Sequence, residues 1–257
     1  MSVKSFFSNL MLLLFIIPAT AADPMATYNA QGDWYDVKND YYRCSFYNGC
    51  MYPVWFYSSD GKKEFPRGFL LDWIKKSTAD DTQLHYLHND RFAEVKIIEN
   101  TPEKLVVECI GKFCKDTTRF PNVTARYRYT LKRNSPLILL EGVLSCSAPE
   151  KQPPCKVYLG VLAFRHQPFE TIRLDSQAPQ PFRINGQPPE TFRAQQGIVL
   201  TDNNGLSVGV NGSAVSWNNA FDRYFTYITR SMSKTERRWD GKQKLRFSIK
   251  FSFDGQN

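Results

Sequence analysis

Apolar and polar residues alternate strictly along two long stretches of this chain, residues 123–132 and 245–254. In the first stretch, every second residue is apolar, from Val123 through Tyr127 to Leu131, and the residues between them are polar or charged. Phe247 and Phe251 are apolar residues of the same kind of alternation in the second stretch. Successive side chains of a β-strand point to opposite faces, so each stretch has one apolar and one polar face. Apolar faces of this kind are buried by packing sheets together, which predicts a largely β protein.

Shorter strand-like runs fill the remaining chain, and turn residues such as Asn134-Ser135-Pro136 separate them at short intervals. No convincing helix of about ten residues or more is found, so we expect an all-β fold, a large antiparallel two-sheet β-sandwich. Residues 156–164 are apolar on both faces and are predicted to form one central strand. The Pro-bearing residues 177–189 are predicted to form a long loop that crosses a rim of the sandwich.

The first 22 residues have the features of an export signal. Lys4 supplies a positive charge, residues 10–17 form an apolar core, and residues 19–21 are small. The apolar run is shorter than the roughly 20 residues of a membrane-spanning helix, and no later segment is long enough, although an uncleaved anchor is the alternative. We therefore expect a signal peptide over residues 1–22, a single β-sandwich domain over residues 23–257, and a secreted or periplasmic protein without a transmembrane segment.

The chain is basic, with a formal net charge of +8. The predicted signal carries one Lys and no acid, which leaves +7 on the mature protein. An excess of positive charge favours acidic partners, and acidic polysaccharides are the partners expected here. The alternative is that Lys and Arg only cover the polar faces of strands, because they are dispersed along the sequence. No contiguous basic stripe is present, so nucleic acid is not an expected partner.

Six cysteines in an exported protein favour disulfides over free thiols. A two-residue turn at Gly111-Lys112 would place two of them opposite each other in a hairpin, and a Pro-rich loop over residues 147–154 separates two others. The remaining two flank Asn48-Gly49, but a tight turn there would put them on different faces of the hairpin. The expected disulfides are Cys109–Cys114, Cys146–Cys155 and, in conflict with that turn, Cys44–Cys50. None of the six has the paired spacing of a zinc site.

Two parts of the chain resemble a known family. Val37-Lys38-Asn39-Asp40-Tyr41-Tyr42-Arg43 is followed by a hairpin and a strand ending in Asp60-Gly61-Lys62, and residues 129–141 turn through Asn134-Ser135-Pro136 into an apolar strand. Both stretches resemble the galactose mutarotase-like β-supersandwich, which occurs in aldose epimerases and in domains of polysaccharide lyases and glycoside hydrolases. The resemblance implies a carbohydrate-binding concave sheet face. The family's catalytic His and acidic residues do not map onto a motif of this sequence.

Three histidines and one carboxylate are candidates for proton transfer. His85, His88 and Arg91 lie close together in the sequence, and His166 follows Arg165 at the end of the predicted central strand. Histidine titrates near neutral pH and suits acid–base chemistry, although solvated or core-bound histidines are the alternative.

Glu141 is the candidate carboxylate, and it lies inside an apolar strand. It either occupies a polar sheet face beside an Arg or is buried with a raised pKa.

Aromatic residues make up 14% of the chain, and those that lie beside polar or turn residues are candidates for binding sugars. Flat rings stack on the C–H faces of sugars, while amides and carboxylates bind the hydroxyl groups. Trp217, Asn219 and Tyr224 lie in a stretch that combines these residue types. Trp34 and Trp55 also lie beside polar or turn residues, and core or rim packing explains each ring equally well.

The sequence therefore favours a carbohydrate-active or carbohydrate-binding protein. If it is an enzyme, lytic cleavage of an acidic polysaccharide fits best, with His88, His166 and Arg165 as catalytic candidates, Arg91 holding the carboxylate and Glu141 as a further candidate. A non-catalytic glycan-binding module and a sugar epimerase are the alternatives. No nucleotide-binding, serine-hydrolase or zinc-protease motif is present, and no cofactor or metal is expected. The oligomeric state is not determined by these features.

Overall fold

The computed structural model describes residues 22–66, 68–77, 82–151, 155–165, 169–182, 193–211, 217–221, 225–230, 232 and 238–254. These residues form 24 strands and two 3₁₀ helices, Leu87–Asn89 and Pro149–Lys151, which confirms the predicted all-β class. Within this part of the chain no helix is long and apolar enough to cross a membrane.

The strands pair into antiparallel sheets of four, six, nine and five strands. Their bounds, in chain order, are β1 (Ala26–Asn29), β2 (Trp34–Lys38), β3 (Tyr42–Tyr47), β4 (Val54–Ser58), β5 (Gly68–Leu70), β6 (Trp73–Ser77), β7 (Thr82–Tyr86), β8 (Glu94–Asn100), β9 (Lys104–Gly111), β10 (Cys114–Lys115), β11 (Thr118–Arg119), β12 (Val123–Lys132), β13 (Leu137–Cys146), β14 (Cys155–Tyr158), β15 (Val161–Arg165), β16 (Phe169–Leu174), β17 (Gln180–Pro181), β18 (Arg193–Ala194), β19 (Gly197–Asp202), β20 (Ser207–Asn211), β21 (Trp217–Phe221), β22 (Phe225–Arg230), β23 (Arg238–Trp239) and β24 (Leu245–Asp254).

The nine-stranded sheet contains both alternating stretches that the sequence singled out. Its order is β17-β16-β19-β20-β24-β13-β12-β9-β8, so β13 separates β12 from β24. In register, Tyr129 of β12 lies opposite Leu140 of β13, which lies opposite Ile249 of β24, and all three are fully buried. The predicted alternation therefore gives this sheet one apolar face for the core and one polar face for solvent.

The other three sheets pack against the apolar face of the nine-stranded sheet. From the four-stranded sheet, Phe46 contacts Tyr129 at 5.4 Å between ring centroids, and Phe56 stacks on Phe253 at 3.8 Å. The hydroxyl of Tyr127 donates to the carboxylate of Asp72, which precedes β6 of the six-stranded sheet. These contacts join both layers into one buried apolar cluster, which confirms the predicted sandwich.

The predicted central strand over residues 156–164 is wrong, because the structure divides it into β14 and β15. β14 belongs to the six-stranded sheet and β15 to the five-stranded sheet. Gly160, between them, has a φ of +71°, a backbone conformation that favours glycine. A Cβ atom there would lie 2.6 Å from Cδ1 of Ile249, so glycine also provides the space for the two layers to meet. The chain thus passes from the six-stranded to the five-stranded sheet at Gly160.

Replacing Gly160 by Ala is expected to destabilise the fold by about 2 kcal/mol, because the new methyl group adds backbone strain and a clash with Ile249. Urea unfolding of G160A measures this loss. The double variant G160A/I249V is expected to recover part of it, since the shorter side chain relieves the clash and leaves the strain. A change within about 0.5 kcal/mol, the ordinary range for surface substitutions, would contradict the account.

The six cysteines are free thiols in the structure, and none of the expected disulfides, Cys109–Cys114, Cys146–Cys155 and Cys44–Cys50, is formed. The predicted hairpin at Gly111-Lys112 is wrong. Cys109 lies opposite Tyr127 and Val95 in the nine-stranded sheet, whereas Cys114 lies opposite Tyr86 in the six-stranded sheet. Gly111 continues the β9 ladder, and the chain after it crosses between layers.

The predicted rim loop over residues 177–189 is described only as far as residue 182. Within it, β17 pairs with β16 at the edge of the nine-stranded sheet, so this part is a short edge strand.

Candidate functional site

The catalytic candidates Glu141 and His88 lie on different layers of the sandwich. Glu141 is exposed on the polar face of the nine-stranded sheet, directly opposite Arg128 of β12. His88 lies in the 3₁₀ helix that follows β7 of the six-stranded sheet, with its ring 5.2 Å from that of Tyr86. The two groups therefore do not form one site. Glu141 lies on a polar sheet face beside an Arg, which is one of the two positions predicted for it.

The remaining predicted site residues are described to different extents. Arg91 is exposed in the loop after the first 3₁₀ helix. For Arg165 of β15 and for Trp217 and Asn219 of β21, only the strand positions belong to the described structure. His166 and Tyr224 lie outside the described residues.

The strands of the six-stranded sheet carry cations and no carboxylate. Its order is β11-β10-β7-β6-β14-β23. The cationic side chains on these strands are Lys75, Lys76, Lys115, Arg119, Lys156 and Arg238. Arg119 is neutralised from outside the sheet by buried Asp90, to which it donates two bonds of 2.9 Å. The nine-stranded sheet, by contrast, mixes both signs of charge, as the ion pairs of Glu108 with Arg126 and Arg128 illustrate.

Three of these cations form a row across neighbouring strands. Lys75 lies opposite Lys156, and Lys156 lies opposite Arg238. Neighbouring strands are about 4.8 Å apart, and like charges placed directly opposite each other are destabilising. Among the described residues, no ion pair neutralises any member of this cation row. Within the described part of the chain, the three cations are therefore neighbours without a neutralising ion pair.

A row of aromatic rings runs beside the cation row. Tyr158 lies opposite Trp73, and Trp73 lies opposite Tyr86. On β6 and β14 the aromatic residue is two positions from the Lys of the cation row, and on β7 it is two positions from the residue that lies opposite Lys75. The rings of Trp73 and Tyr158 stack at 4.5 Å, and Tyr86 follows at 6.5 Å from Trp73. All three side chains are half-buried, whereas Ile74, His85 and Val157, at alternate positions of the same strands, are buried in the core. We call the cation row and this aromatic row together the basic aromatic face.

Burial disfavours the charged form of the two histidines near this face. Burial lowers the pKa of His85, which lies under the sheet, and the charges of Lys76 and Lys115 lower it further. Burial alone lowers the pKa of His88, which lies beside Tyr86 at the end of the aromatic row. A lowered pKa favours the neutral imidazole, which is the form that accepts a proton in general base catalysis.

Buried Asp72, which precedes β6, forms hydrogen bonds with residues of three other parts of the chain. Its carboxylate accepts the hydroxyl of Tyr127 and, at 2.9 Å, the backbone N–H of Val161. Its backbone carbonyl accepts the N–H of Leu87, the first residue of the turn that carries His88. Burial raises the pKa of Asp72 to about 6, against the lowering effect of the Tyr127 bond. Asp72 thus connects the start of β6, the His88 turn and the opposite layer.

The sequence did not identify the members of the basic aromatic face. Lys75, Lys156 and Arg238 lie far apart in the chain and become neighbours only through strand pairing. The available signals were the adjacent cations Lys75-Lys76 and Arg237-Arg238 and the absence of acids within the short strands.

Comparison with known proteins identifies the fold. No protein-family model and no curated protein matches this chain. Among solved structures, an alpha-mannosidase from Enterococcus faecalis V583 matches with a TM-score of 0.60 and 13% identity over 91% of this chain. A GH36 alpha-galactosidase from Geobacillus stearothermophilus matches with a TM-score of 0.57 and 8% identity over 87% of this chain. A galactose mutarotase-like protein from Lactobacillus casei ATCC 334 matches with a TM-score of 0.51 and 8% identity over 86% of this chain.

The three structures differ in how much of their own length is matched. This chain spans 30% of the mannosidase and 41% of the galactosidase, but 99% of the mutarotase-like protein. At these identities the likeness concerns the backbone alone. The chain has the galactose mutarotase-like β-sandwich fold.

Proposed function

We propose that this protein binds an acidic polysaccharide on the basic aromatic face. The observation that carries the proposal is the row of Lys75, Lys156 and Arg238, which faces no carboxylate on its sheet and adjoins an aromatic row. The solved structures with the same fold include a mannosidase, a galactosidase and a mutarotase-like protein, which is consistent with a sugar ligand. The signal-like N-terminus favours a site of action outside the cytoplasm.

The chemistry of the face matches a polymer that carries uronate or sulfate groups. Lys and Arg donate charge-assisted hydrogen bonds to such anions, and a bound anion would remove the repulsion within the cation row. The row spans about 10 Å across three strands, which suits a ligand with several negative charges rather than one. Trp73, Tyr86 and Tyr158 supply apolar contact area for sugar rings.

Lytic cleavage of the same polymer is the second candidate function. It is favoured by His88, whose pKa is lowered by burial. His88 lies at the end of the aromatic row, where its imidazole could remove a proton beside a bound uronate. The epimerase alternative needs a carboxylate that faces a histidine, and the strands of this sheet offer none. Binding without turnover is therefore the function that requires the fewest catalytic side chains.

A binding screen with acidic and neutral polysaccharides tests the proposal. We expect retention on uronate-bearing or sulfated polymers and not on neutral glucans. Binding should fall steeply between about 0.1 M and about 1 M salt, because the screening length shrinks from about 10 Å to about 3 Å. Equal retention on neutral polymers, or no acidic polymer that binds, would overturn the proposal. New ultraviolet absorbance from an unsaturated product would assign the lyase function. If a polymer binds and no such absorbance develops, the protein has the binding function without the lyase function.

A further inference from the structure

A second candidate site lies on the four-stranded sheet, away from the basic aromatic face. An open groove of about 650 Å³ runs over this sheet, within the size range of small-ligand sites. Its wall includes Trp34, Asp36, Arg43, Trp55 and Tyr57, which come from strands β2, β3 and β4. We call it the N-terminal groove.

Trp55 is held in an unfavourable backbone conformation at the wall of this groove. Its φ is +54°, a region that bulky residues rarely adopt, yet its side chain is 50% exposed. The pairing of β3 with β4 is irregular between Arg43 and Ser45, on the strand next to Trp55, and such bulges redirect side chains. The rings of Trp34 and Tyr47 contact the Trp55 ring edge-on at 6.4 Å and 5.0 Å. The strain is not explained by core packing, because the ring lies outside the core.

The polar groups of the groove include both signs of charge. Asp36 accepts a hydrogen bond of 2.9 Å from Ser45, which lies opposite it. Arg43 lies opposite Lys38, and its Nε donates to the carbonyl of Ser59 at 2.8 Å, which fixes the guanidinium. A carboxylate accepts hydroxyl protons, and a guanidinium donates to hydroxyl oxygens. The wall also includes Asp23, Lys38 and Arg133, so three cations and two carboxylates line the groove. This mixture suits a neutral ligand whose hydroxyl groups both donate and accept hydrogen bonds, because the carboxylates would repel a polyanion.

We propose that the N-terminal groove binds a neutral saccharide, with a sugar ring against Trp55 and its hydroxyl groups on Asp36 and Arg43. This site is separate from the basic aromatic face and does not depend on the function proposed there. It would allow the protein to hold an acidic polymer on one sheet and a neutral saccharide on another.

Trp55→Gly is the main variant for testing the groove. Glycine adopts a positive φ without strain, so W55G removes the ring and is expected to remain folded. Isothermal titration with neutral manno-, galacto- and gluco-oligosaccharides should show saturable binding to the wild type and at least about tenfold weaker binding to W55G. Tyr28→Ala is the matched control, because Tyr28 is similarly exposed, at 51%, on the same sheet but outside the groove wall.

Asp36→Asn is the second variant, which keeps the test valid if W55G does not fold. Asp36 is exposed, and its replacement is expected to weaken saccharide binding without changing the unfolding temperature. The proposal is overturned if no neutral oligosaccharide binds at millimolar concentration, or if W55G and D36N bind as Y28A does. Retention of W55G on acidic polymers is measured in parallel, so that failure of one site is distinguished from failure of the other.

Discussion

Replacing Lys75, Lys156 and Arg238 together by glutamine is expected to weaken binding of an acidic polysaccharide by about 100-fold. Each Lys or Arg near an anionic surface contributes about 1 kcal/mol, and about 3 kcal/mol corresponds to roughly two orders of magnitude in the dissociation constant. The dissociation constants of wild type and triple variant at low salt measure the effect. The stability of the variant should be unchanged or slightly higher, because the three cations repel one another across the strands.

The matched control removes the same charge from the other side of the sandwich. Lys132, Arg246 and Lys250 are exposed on the nine-stranded sheet. Their replacement by glutamine changes the net charge equally, so a small loss of affinity is expected from long-range attraction alone. If both triple variants lose affinity to the same extent, the polymer responds to net charge, and the basic aromatic face is not its site.

Asp72→Ala is expected to destabilise the protein by about 3–5 kcal/mol. The substitution removes the acceptor of the Tyr127 hydroxyl and of the Val161 N–H, and both donors are buried between the layers. An unsatisfied buried polar group costs about 1–3 kcal/mol, and the lost side-chain volume adds to that cost. Asp72→Asn keeps an oxygen acceptor and nearly the same volume, so its loss should be much smaller. Urea unfolding of both variants measures the difference, and equal losses would contradict this role.

The charge of Asp72 also gives the stability a pH dependence with a definite sign. Burial raises the pKa of Asp72 from 3.8 to about 6, so between these values the folded protein binds more protons at this site than the unfolded chain. The contribution of Asp72 to stability is therefore complete below about pH 4 and is lost as the pH rises through about 6. Unfolding curves across this interval should show a fall in the wild type that D72N lacks. Parallel curves for the two proteins would contradict the assignment.

Local patterns were sufficient to predict the sandwich and its longest strands. Residues 123–132 form β12 with the alternation that the sequence shows, because one face of that strand packs on the core and the other meets solvent. The predictions failed where a single residue changes the course of the chain. Gly160 divides an apolar run into strands of two sheets, and Gly111 stays in a ladder rather than forming a turn.

The candidate site depended on strand pairing, which the sequence does not display. Residue chemistry alone favours histidine, arginine and glutamate as site residues, but Glu141 and His88 lie on different layers of the sandwich. The charges looked dispersed in sequence because Lys75, Lys156 and Arg238 belong to three separate strands, and only their register makes them a row. The polar neighbours of Trp55 are visible in the sequence, whereas its strained backbone is visible only in the structure.

Lysine footprinting with and without a bound acidic polysaccharide shows whether the polymer occupies the basic aromatic face. Amines are acetylated briefly, and the modified residues are quantified by mass spectrometry. The account predicts that the polymer protects Lys75 and Lys156 and leaves Lys132 and Lys250, on the other layer, as reactive as before. Protection of Lys132 and Lys250 instead, or equal reactivity of all four lysines with the polymer bound, would contradict it.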